Sequence, residues 1–243
     1  MAERPLRIAL DIDGVLAETH EKVMADVLRE LFGIEWSKDK FYQWGAEKSI
    51  FHFTGLKLTG QEFLDVFDPA WERWEQIPIT EPYAALLARD LAREGHTVHY
   101  VTYAKTDEQM GHKTSWIAKN MAPDSPRFVI NSRNEVGWKY EMDYDVFIED
   151  CPHIAVGAFA AGKQTYLYDQ PWNRGVGDRY ITARIHSLEE LKGLLRFPKL
   201  ETFPGGESCK FRFCPVKKAV GSHLTGPSCK DADDPAWKYE QLG

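Results

Sequence analysis

Two aspartates stand two residues apart at the end of a short apolar run. Arg7-Ile8-Ala9-Leu10 leads into Asp11-Ile12-Asp13-Gly14. A carboxylate can attack phosphorus and carry the phosphoryl group as a mixed anhydride. A second carboxyl beside it can protonate the leaving oxygen and later deprotonate the attacking water. Further on, Thr102 ends the run TVHYVT, Lys139 stands ten residues before Glu149, and Glu149-Asp150 follow Val146-Phe147-Ile148. Several carboxylates in one place repel one another unless a cation binds, and oxygen donors with room for water suit Mg²⁺. Thr102 can donate to a phosphoryl oxygen, and Lys139 can bring positive charge to the same group. Singly, each residue is ordinary. An Asp-x-Asp after a strand serves as a turn or a helix cap, Thr is common in strands, Lys belongs on surfaces, and Glu-Asp suits a solvated loop. Together and in this order, each beside an apolar strand, they form one reaction set.

Such residues converge only if parallel strands carry them to one edge, because ligands of open parallel sheets bind beyond the carboxyl ends of the strands. The chain supplies that rhythm. The run at 7–10 reads as a buried strand, and Met24, Val27, Leu28 and Leu31 have helical spacing with Gly33 as a stop. Thr59 and Glu62 fit a capping box. Thr80 reads as an N-cap with Pro82 in the first turn, and Leu86, Leu87 and Leu91 form the apolar face of a helix ending at Gly95. A strand at 97–102 follows. Thr106 and Gln109 then open a helix running to about Met121. Strands are predicted at 128–130, 146–148, 165–167 and 180–185, with a small helix near 153–161. Ser187 and Glu190 cap a last helix. Alternating strands and helices imply βαβ units and a parallel sheet covered on both faces.

The 243 residues suffice for one α/β core plus an insertion. Hydrophobic residues make up 43% and charged residues 28%, and no stretch is long and apolar enough to span a membrane. The first five residues lack the apolar run of a signal peptide, so a cytoplasmic location is expected. A net charge of −7 argues against a general nucleic-acid binder without excluding a local basic pocket.

With these residues in view, the chain resembles the haloacid dehalogenase (HAD) superfamily of phosphatases over about residues 6–196. That superfamily carries Asp-x-Asp-Gly after the first strand, then a strand-terminal Thr or Ser, a Lys, and an acidic pair after another apolar strand. Here these are D11-I-D-G14, V101-T102, K139 and F147-I-E-D150. The nearer likeness is to the 5′(3′)-deoxyribonucleotidases and their bacterial and phage relatives. It rests on the Lys139-to-Glu149 spacing, Lys113-x-x-Trp116, Gln170-Pro171-Trp172-Asn173 and a small insertion directly after the first motif. The resemblance implies a Rossmann-like three-layer α/β core with a small helical cap. It implies Asp11 as nucleophile and Mg²⁺ ligand, and Asp13 as general acid/base that ligates Mg²⁺ through its backbone carbonyl. Asp150 is the remaining ligand, Glu149 supports the ligands without touching the metal, and Thr102 and Lys139 hold the phosphate. Lys113 either assists them or is a solvated helix lysine. Trp172 and Asn173 read as loop packing.

The expected organisation is a catalytic core of residues 1–16 and 79–197, a cap insertion of 17–78, and an irregular tail of 198–243. Between Trp36 and Trp74 the chain carries ten Trp, Tyr and Phe rings, more than a small insertion can bury. Most form the cap's own core. Two or three are expected to stack on a flat substrate group, with Trp44, Phe51 and Trp74 as candidates. That favours a nucleoside monophosphate. A polynucleotide 3′-phosphate or a small sugar phosphate remains the alternative, and a catalytically idle binding protein is the rival of another class. A homodimer is left open. In the tail, Cys209, Cys214, His223 and Cys229 are ligands of zinc-binding type, and either a structural Zn²⁺ site or a loose segment with reduced thiols fits them.

Overall fold

The computed structural model describes residues 4–59, 62, 63, 65, 68–132 and 139–195. The zinc-type residues of the tail lie outside that set. Six strands form one fully parallel sheet: β1 (Arg7–Leu10), β2 (Thr97–Thr102), β3 (Val129–Asn131), β4 (Val146–Glu149), β5 (Gln164–Tyr168) and β6 (Ala183–Ile185). Their order is β3-β2-β1-β4-β5-β6. The chain winds outward from β1 to β3 and then returns to the other side of β1. The order therefore reverses between β1 and β4, which opens a crevice at their carboxyl ends.

The two-residue alternation of β1 sends its side chains to opposite layers. Ile8 and Leu10 join Leu87 and Leu91 of α3 (Ala84–Arg93) and Trp116 and Ile117 of α4 (Asp107–Asn120) in one cluster. Ala9 joins Phe147, and Ile154 and Ala158 of α5 (Pro152–Ala160), in another. Helices thus cover both faces, as expected for a parallel sheet. A short helix α6 (Leu191–Leu194) closes the described chain, after Ser187 and Glu190 form their capping box.

Between β1 and α3 lies a long excursion. It enters through a π-helical turn at Thr19–Val23, continues into α1 (Met24–Phe32) and α2 (Ala46–Thr54), and returns through a 3₁₀ stretch at Asp68–Gln76. Its two arms run side by side. Ala17 bridges to Ile79, the Glu18 N–H donates to the Pro78 carbonyl at 2.9 Å, and the Thr80 N–H donates to Leu16 at 2.9 Å. Thr59 and Glu62 make the reciprocal bonds of a capping box, at 2.7 and 3.2 Å.

Three expectations need correction. Thr80 caps no helix: its hydroxyl donates to the Val15 carbonyl at 2.7 Å, tying the returning arm to the turn after β1, and α3 starts only at Ala84. The last strand is Ala183–Ile185, because Asp178–Tyr180 is a 3₁₀ turn. At Thr106 the hydroxyl accepts from the Gln109 N–H, but the Gln109 side-chain oxygen Oε1 accepts from the Lys105 N–H instead of the Thr106 N–H, so the capping box is half made. Among the described residues, no helix is long and apolar enough to cross a membrane.

One close approach fixes the turn that carries Lys139. A Cβ on Gly157 of α5 would lie 2.6 Å from the ring of Tyr140, the next residue, whereas a Cβ on Gly111 of α4 would meet nothing within 4 Å. In urea unfolding, Gly157→Ala is expected to lose about 1 kcal/mol or more despite its better helix propensity, and Gly111→Ala to gain about 0.5–1 kcal/mol. Equal responses at the two sites would show that Tyr140 is not held against α5.

Candidate functional site

The sheet registers Leu10 of β1 against Ile148 of β4, and the Asp11 N–H donates to the Ile148 carbonyl at 3.0 Å. Asp11 therefore emerges beside Glu149 and Asp150. One carboxylate oxygen from each of the three can be chosen so that all lie within 4.8 Å of one another, and all three residues are buried. Lys139 reaches Asp11 Oδ1 and Glu149 Oε2, each at 2.7 Å. Glu149 Oε1 also accepts the N–H groups of Asp150 and Cys151, both at 3.1 Å. Glu149 thus orients the lysine and the turn after β4.

The electrostatics follow from that crowding. Burial, then the neighbouring Glu149 charge, push Asp11 well above the usual carboxylate range. Burial and then the Asp11 and Glu149 charges do the same to Asp150. Burial would raise Glu149 too, but the Lys139 charge holds it below its ordinary value. Burial would lower Lys139, yet its two carboxylate partners hold it above the usual lysine range. Among the described residues, the three carboxylates share one ammonium, so ionising all three leaves an excess of two negative charges out of water. That excess, on an all-oxygen donor set, fits a divalent cation of the Mg²⁺ type.

Asp13 lies on the β2 side and has different neighbours. Trp71 Nε1 donates to its Oδ1 at 2.8 Å, Lys113 Nζ lies 2.5 Å from its Oδ2, and the Thr102 hydroxyl faces Oδ2 at 3.4 Å. Burial would raise Asp13, but the Lys113 charge and the hydrogen bonds from Lys113 and Trp71 hold it below the usual range. Lys113 is buried, not a solvated helix lysine. It also donates to Thr102 Oγ1 at 2.9 Å and to the Tyr103 carbonyl at 2.7 Å. The Asn131 amide clamps the turn after β2 through the Ala104 N–H and carbonyl, at 3.1 and 2.9 Å.

The loop after β5 does more than pack. Trp172 Nε1 donates to Asp150 Oδ2 at 3.1 Å, and Asn173 Nδ2 donates to the Asp150 carbonyl at 2.9 Å. Gly14 has φ of 70°, and a Cβ there would lie 2.2 Å from Asp150 Oδ2, so only glycine lets the two turns meet. His20, on the π-helical turn, tilts against Trp172 with ring centroids 4.3 Å apart. Burial drives its imidazole down to about 4, so it is neutral at pH 7.

The three pocket candidates part company. Trp44 is half-buried, with its ring edge-on to His153 at 5.8 Å, three residues beyond Asp150. Phe51 is 55% exposed and lines an outer groove of α2 with Tyr42 and His52. Trp74 packs against the main core with Lys119 over its ring at 5.5 Å. Trp71, Trp172 and His20 were not singled out as site residues by sequence. Trp71 is one indole among many, and only the fold reveals which one meets Asp13.

A carboxyl raised above its unfolded value binds more protons in the folded state. In metal-free protein, Asp11 and Asp150 therefore cost stability as pH climbs above about 3.9 toward their raised values. Metal-free Asp150→Asn is expected to melt higher than metal-free wild type at pH 7. Mg²⁺ should raise the wild-type midpoint by at least about 1 kcal/mol, roughly 2–4 °C for a chain this size, and more at pH 7 than at pH 5. The variant should lose most of that gain. An unchanged wild-type midpoint across a Mg²⁺ titration would remove the cation from this site.

No protein-family model matches the sequence, and no curated protein matches it. Solved structures do. A HAD family hydrolase from Deinococcus radiodurans R1, solved with bound phosphate and sodium, aligns with a TM-score of 0.56 at 16% identity, over 79% of this chain and 95% of that one. A haloacid dehalogenase-like protein from Agrobacterium tumefaciens aligns at 0.54 and 15% identity, over 79% and 98%. A mutant of CbbY from Rhodobacter sphaeroides, solved in complex with xylulose-(1,5)bisphosphate, aligns at 0.50 and 16% identity, over 77% and 96%. The six-stranded parallel sheet, its helical layers and these alignments give this chain the fold of the haloacid dehalogenase-like hydrolases.

Proposed function

We propose that the chain is a Mg²⁺-dependent phosphomonoesterase that works through an aspartyl phosphate on Asp11. The observation that carries this reading is the buried Asp11-Glu149-Asp150 cluster, with Lys139 as its one ammonium partner among the described residues and a further carboxylate, Asp13, held in a separate environment. Mg²⁺, held by Asp11, Asp150 and the Asp13 backbone carbonyl, would offset the charge between nucleophile and phosphate.

Asp11 attacks phosphorus and the bond to the leaving oxygen breaks. Asp13 gives that oxygen a proton. Water then attacks the phosphoryl group, Asp13 takes its proton, and the bond to Asp11 breaks to restore the carboxylate. Lys139 orients Asp11, and Thr102 with Lys113 meets the phosphoryl oxygens. Before substrate arrives, Lys113 holds Asp13 ionised. An incoming phosphate dianion shares the Lys113 charge and raises the proton affinity of Asp13, which readies it as the acid.

Residues 17–78 are read as a cap whose paired arms at Ala17 and Ile79 set it over the crevice. The preferred substrate class is a nucleoside 5′-monophosphate. Trp44 near the end of β4 supports it, as do the sequence likenesses at Lys113-x-x-Trp116 and Gln170-Pro171-Trp172-Asn173. A small sugar phosphate is the second reading, favoured because Phe51 and Trp74 make their contacts elsewhere and leave one aromatic candidate near the crevice.

Phosphate release from a panel of nucleoside monophosphates, sugar phosphates and 3′-phosphorylated oligonucleotides tests these readings. Chelation should abolish release, and Asp11→Asn should lower kcat by roughly 10³-fold or more without loss of fold. Retention of a tenth of the activity would exclude Asp11 as nucleophile. Trp44→Ala should raise KM for nucleotides severalfold and leave p-nitrophenyl phosphate less affected. Preference for a sugar phosphate with no response to Trp44→Ala would establish the second reading.

A further inference from the structure

We infer that Trp71 is a positioning residue for Asp13: its indole N–H holds the carboxylate in the orientation that the two proton transfers require. This rests on the acid–base role proposed for Asp13.

Trp71 comes from the returning arm of the 17–78 excursion, not from the strand ends that deliver the other residues of the site. Its side chain is fully buried, and its Nε1 donates to Asp13 Oδ1 at 2.8 Å. An indole N–H only donates, so a buried one must find an acceptor or lose its hydration uncompensated. Here the acceptor is the proposed acid–base group.

The arm is strapped to the core along its length. Asp68 receives Gln109 Nε2 at 3.2 Å and Lys105 Nζ at 3.0 Å. The Glu75 carbonyl accepts Lys119 Nζ at 3.1 Å, and the Ile77 carbonyl accepts Trp116 Nε1 at 2.8 Å. Trp71 itself meets Trp116 edge-to-face, with centroids 6.4 Å apart and planes at 84°. Four of these contacts come from α4, the helix that also carries Lys113. The donor to Oδ1 and the cation on Oδ2 are therefore fixed in one frame. Lys113 Nζ lies 4.9 Å from the Trp71 ring centroid, which holds the ammonium over the indole face.

The two oxygens of Asp13 are thus divided. Oδ2 faces Lys113 and Thr102, and Oδ1 faces Trp71. Oδ1 keeps one lone pair for a proton, and rotation of the carboxylate about its last bond would break the contacts on both oxygens at once. Removing the Trp71 donor frees that rotation while leaving Asp11, Lys139 and the metal-type cluster untouched.

The test compares leaving groups. Proton donation matters for an alkyl phosphate, whose alkoxide is a poor leaving group, and little for p-nitrophenyl phosphate. The value of kcat/KM reports the steps through the first irreversible one. Trp71→Phe, and Trp71 replaced by the sulfur isostere 3-benzothienylalanine, are measured at saturating Mg²⁺ beside Asp13→Asn. The isostere keeps the ring shape and deletes only the N–H, so it remains informative if Trp71→Phe fails to fold. For both Trp71 variants, the ratio of kcat/KM on p-nitrophenyl phosphate to that on an alkyl phosphate is expected to rise roughly tenfold, part of the 10²–10⁴-fold that general acid catalysis supplies. In the Asp13→Asn background neither should add further change. If Asp13→Asn raises the ratio and the folded Trp71 variants do not, the inference is overturned. If Asp13→Asn itself leaves the ratio unchanged, the acid–base reading of Asp13 fails.

Discussion

Where β1 and β4 end, Asp11, Glu149 and Asp150 sit out of water with one lysine between them. Buried charge of one sign is among the costliest arrangements a protein can hold, and breaking its one pairing would leave it worse. Much of the surrounding structure serves to hold these groups in place. The register of β1 against β4 aligns Asp11 with Glu149. The Glu149 carboxylate accepts two backbone N–H groups and Lys139, which binds the turn after β4 to the turn that carries the lysine. Gly157 lets that turn lie flat on α5.

The β5 side provides a second support. Asp150 accepts Trp172 Nε1 on its side chain and Asn173 Nδ2 on its carbonyl. Asn173 is held in turn by Arg184, whose guanidinium reaches its side-chain oxygen at 2.7 Å and its carbonyl at 3.1 Å. The same guanidinium meets Asp169 at 2.9 Å and the Val176 carbonyl at 3.0 Å. A residue on β6 therefore stiffens the loop that orients Asp150, which lies two strands away. Trp172 also packs with Met24, Val27 and Phe41, so one side chain touches the carboxylate cluster and the apolar core of the excursion after β1. Gln170 Nε2 closes the circuit on the Gly14 carbonyl.

The sheet was legible because its signals are local. Short apolar runs bounded by polar turns identify buried strands, and β1, β2 and β4 fall close to where their sequences place them. The strand-terminal groups Asp11, Thr102 and Glu149-Asp150 were legible for the same reason: position at a strand end implies position at the sheet edge. Thr80 misled because a threonine before a Pro-containing turn looks like a cap. Its hydroxyl instead satisfies the Val15 carbonyl across the two arms of the excursion, a contact between residues 65 apart that no local pattern encodes. The aromatic candidates part company for a related reason. Ring content does not choose among the aromatics, because their placement depends on how the returning arm docks on α4. Trp71 and Trp74 lie three residues apart on that arm; one bonds Asp13, and the other packs against the core below Lys119. The register of Lys113 on α4 was equally hidden, since helical spacing alone does not say that its ammonium is buried against Thr102.

Asp11 and Asp13 are separated by one residue and are pushed in opposite directions. Burial beside Glu149 raises the first; Lys113, with Trp71, lowers the second. Two carboxylates whose environments drive their proton affinities apart are suited to different tasks. The alternation of Asp11, Ile12 and Asp13 is what makes this division available. Ile12 is fully buried in the main core, and the residues on either side of it are delivered to different neighbours. Asp11 turns to the β4 side, where charge accumulates and a divalent cation is favoured. Asp13 turns to the β2 side, where a buried lysine and an indole already satisfy it. On the proposed reading, a cation held in the first environment would lower Asp11 and favour it as a nucleophile. A dianion approaching Lys113 loosens the hold on Asp13 and favours its protonation. On the proposed reading, one substrate complex thus moves both carboxylates toward the states that the first chemical step requires.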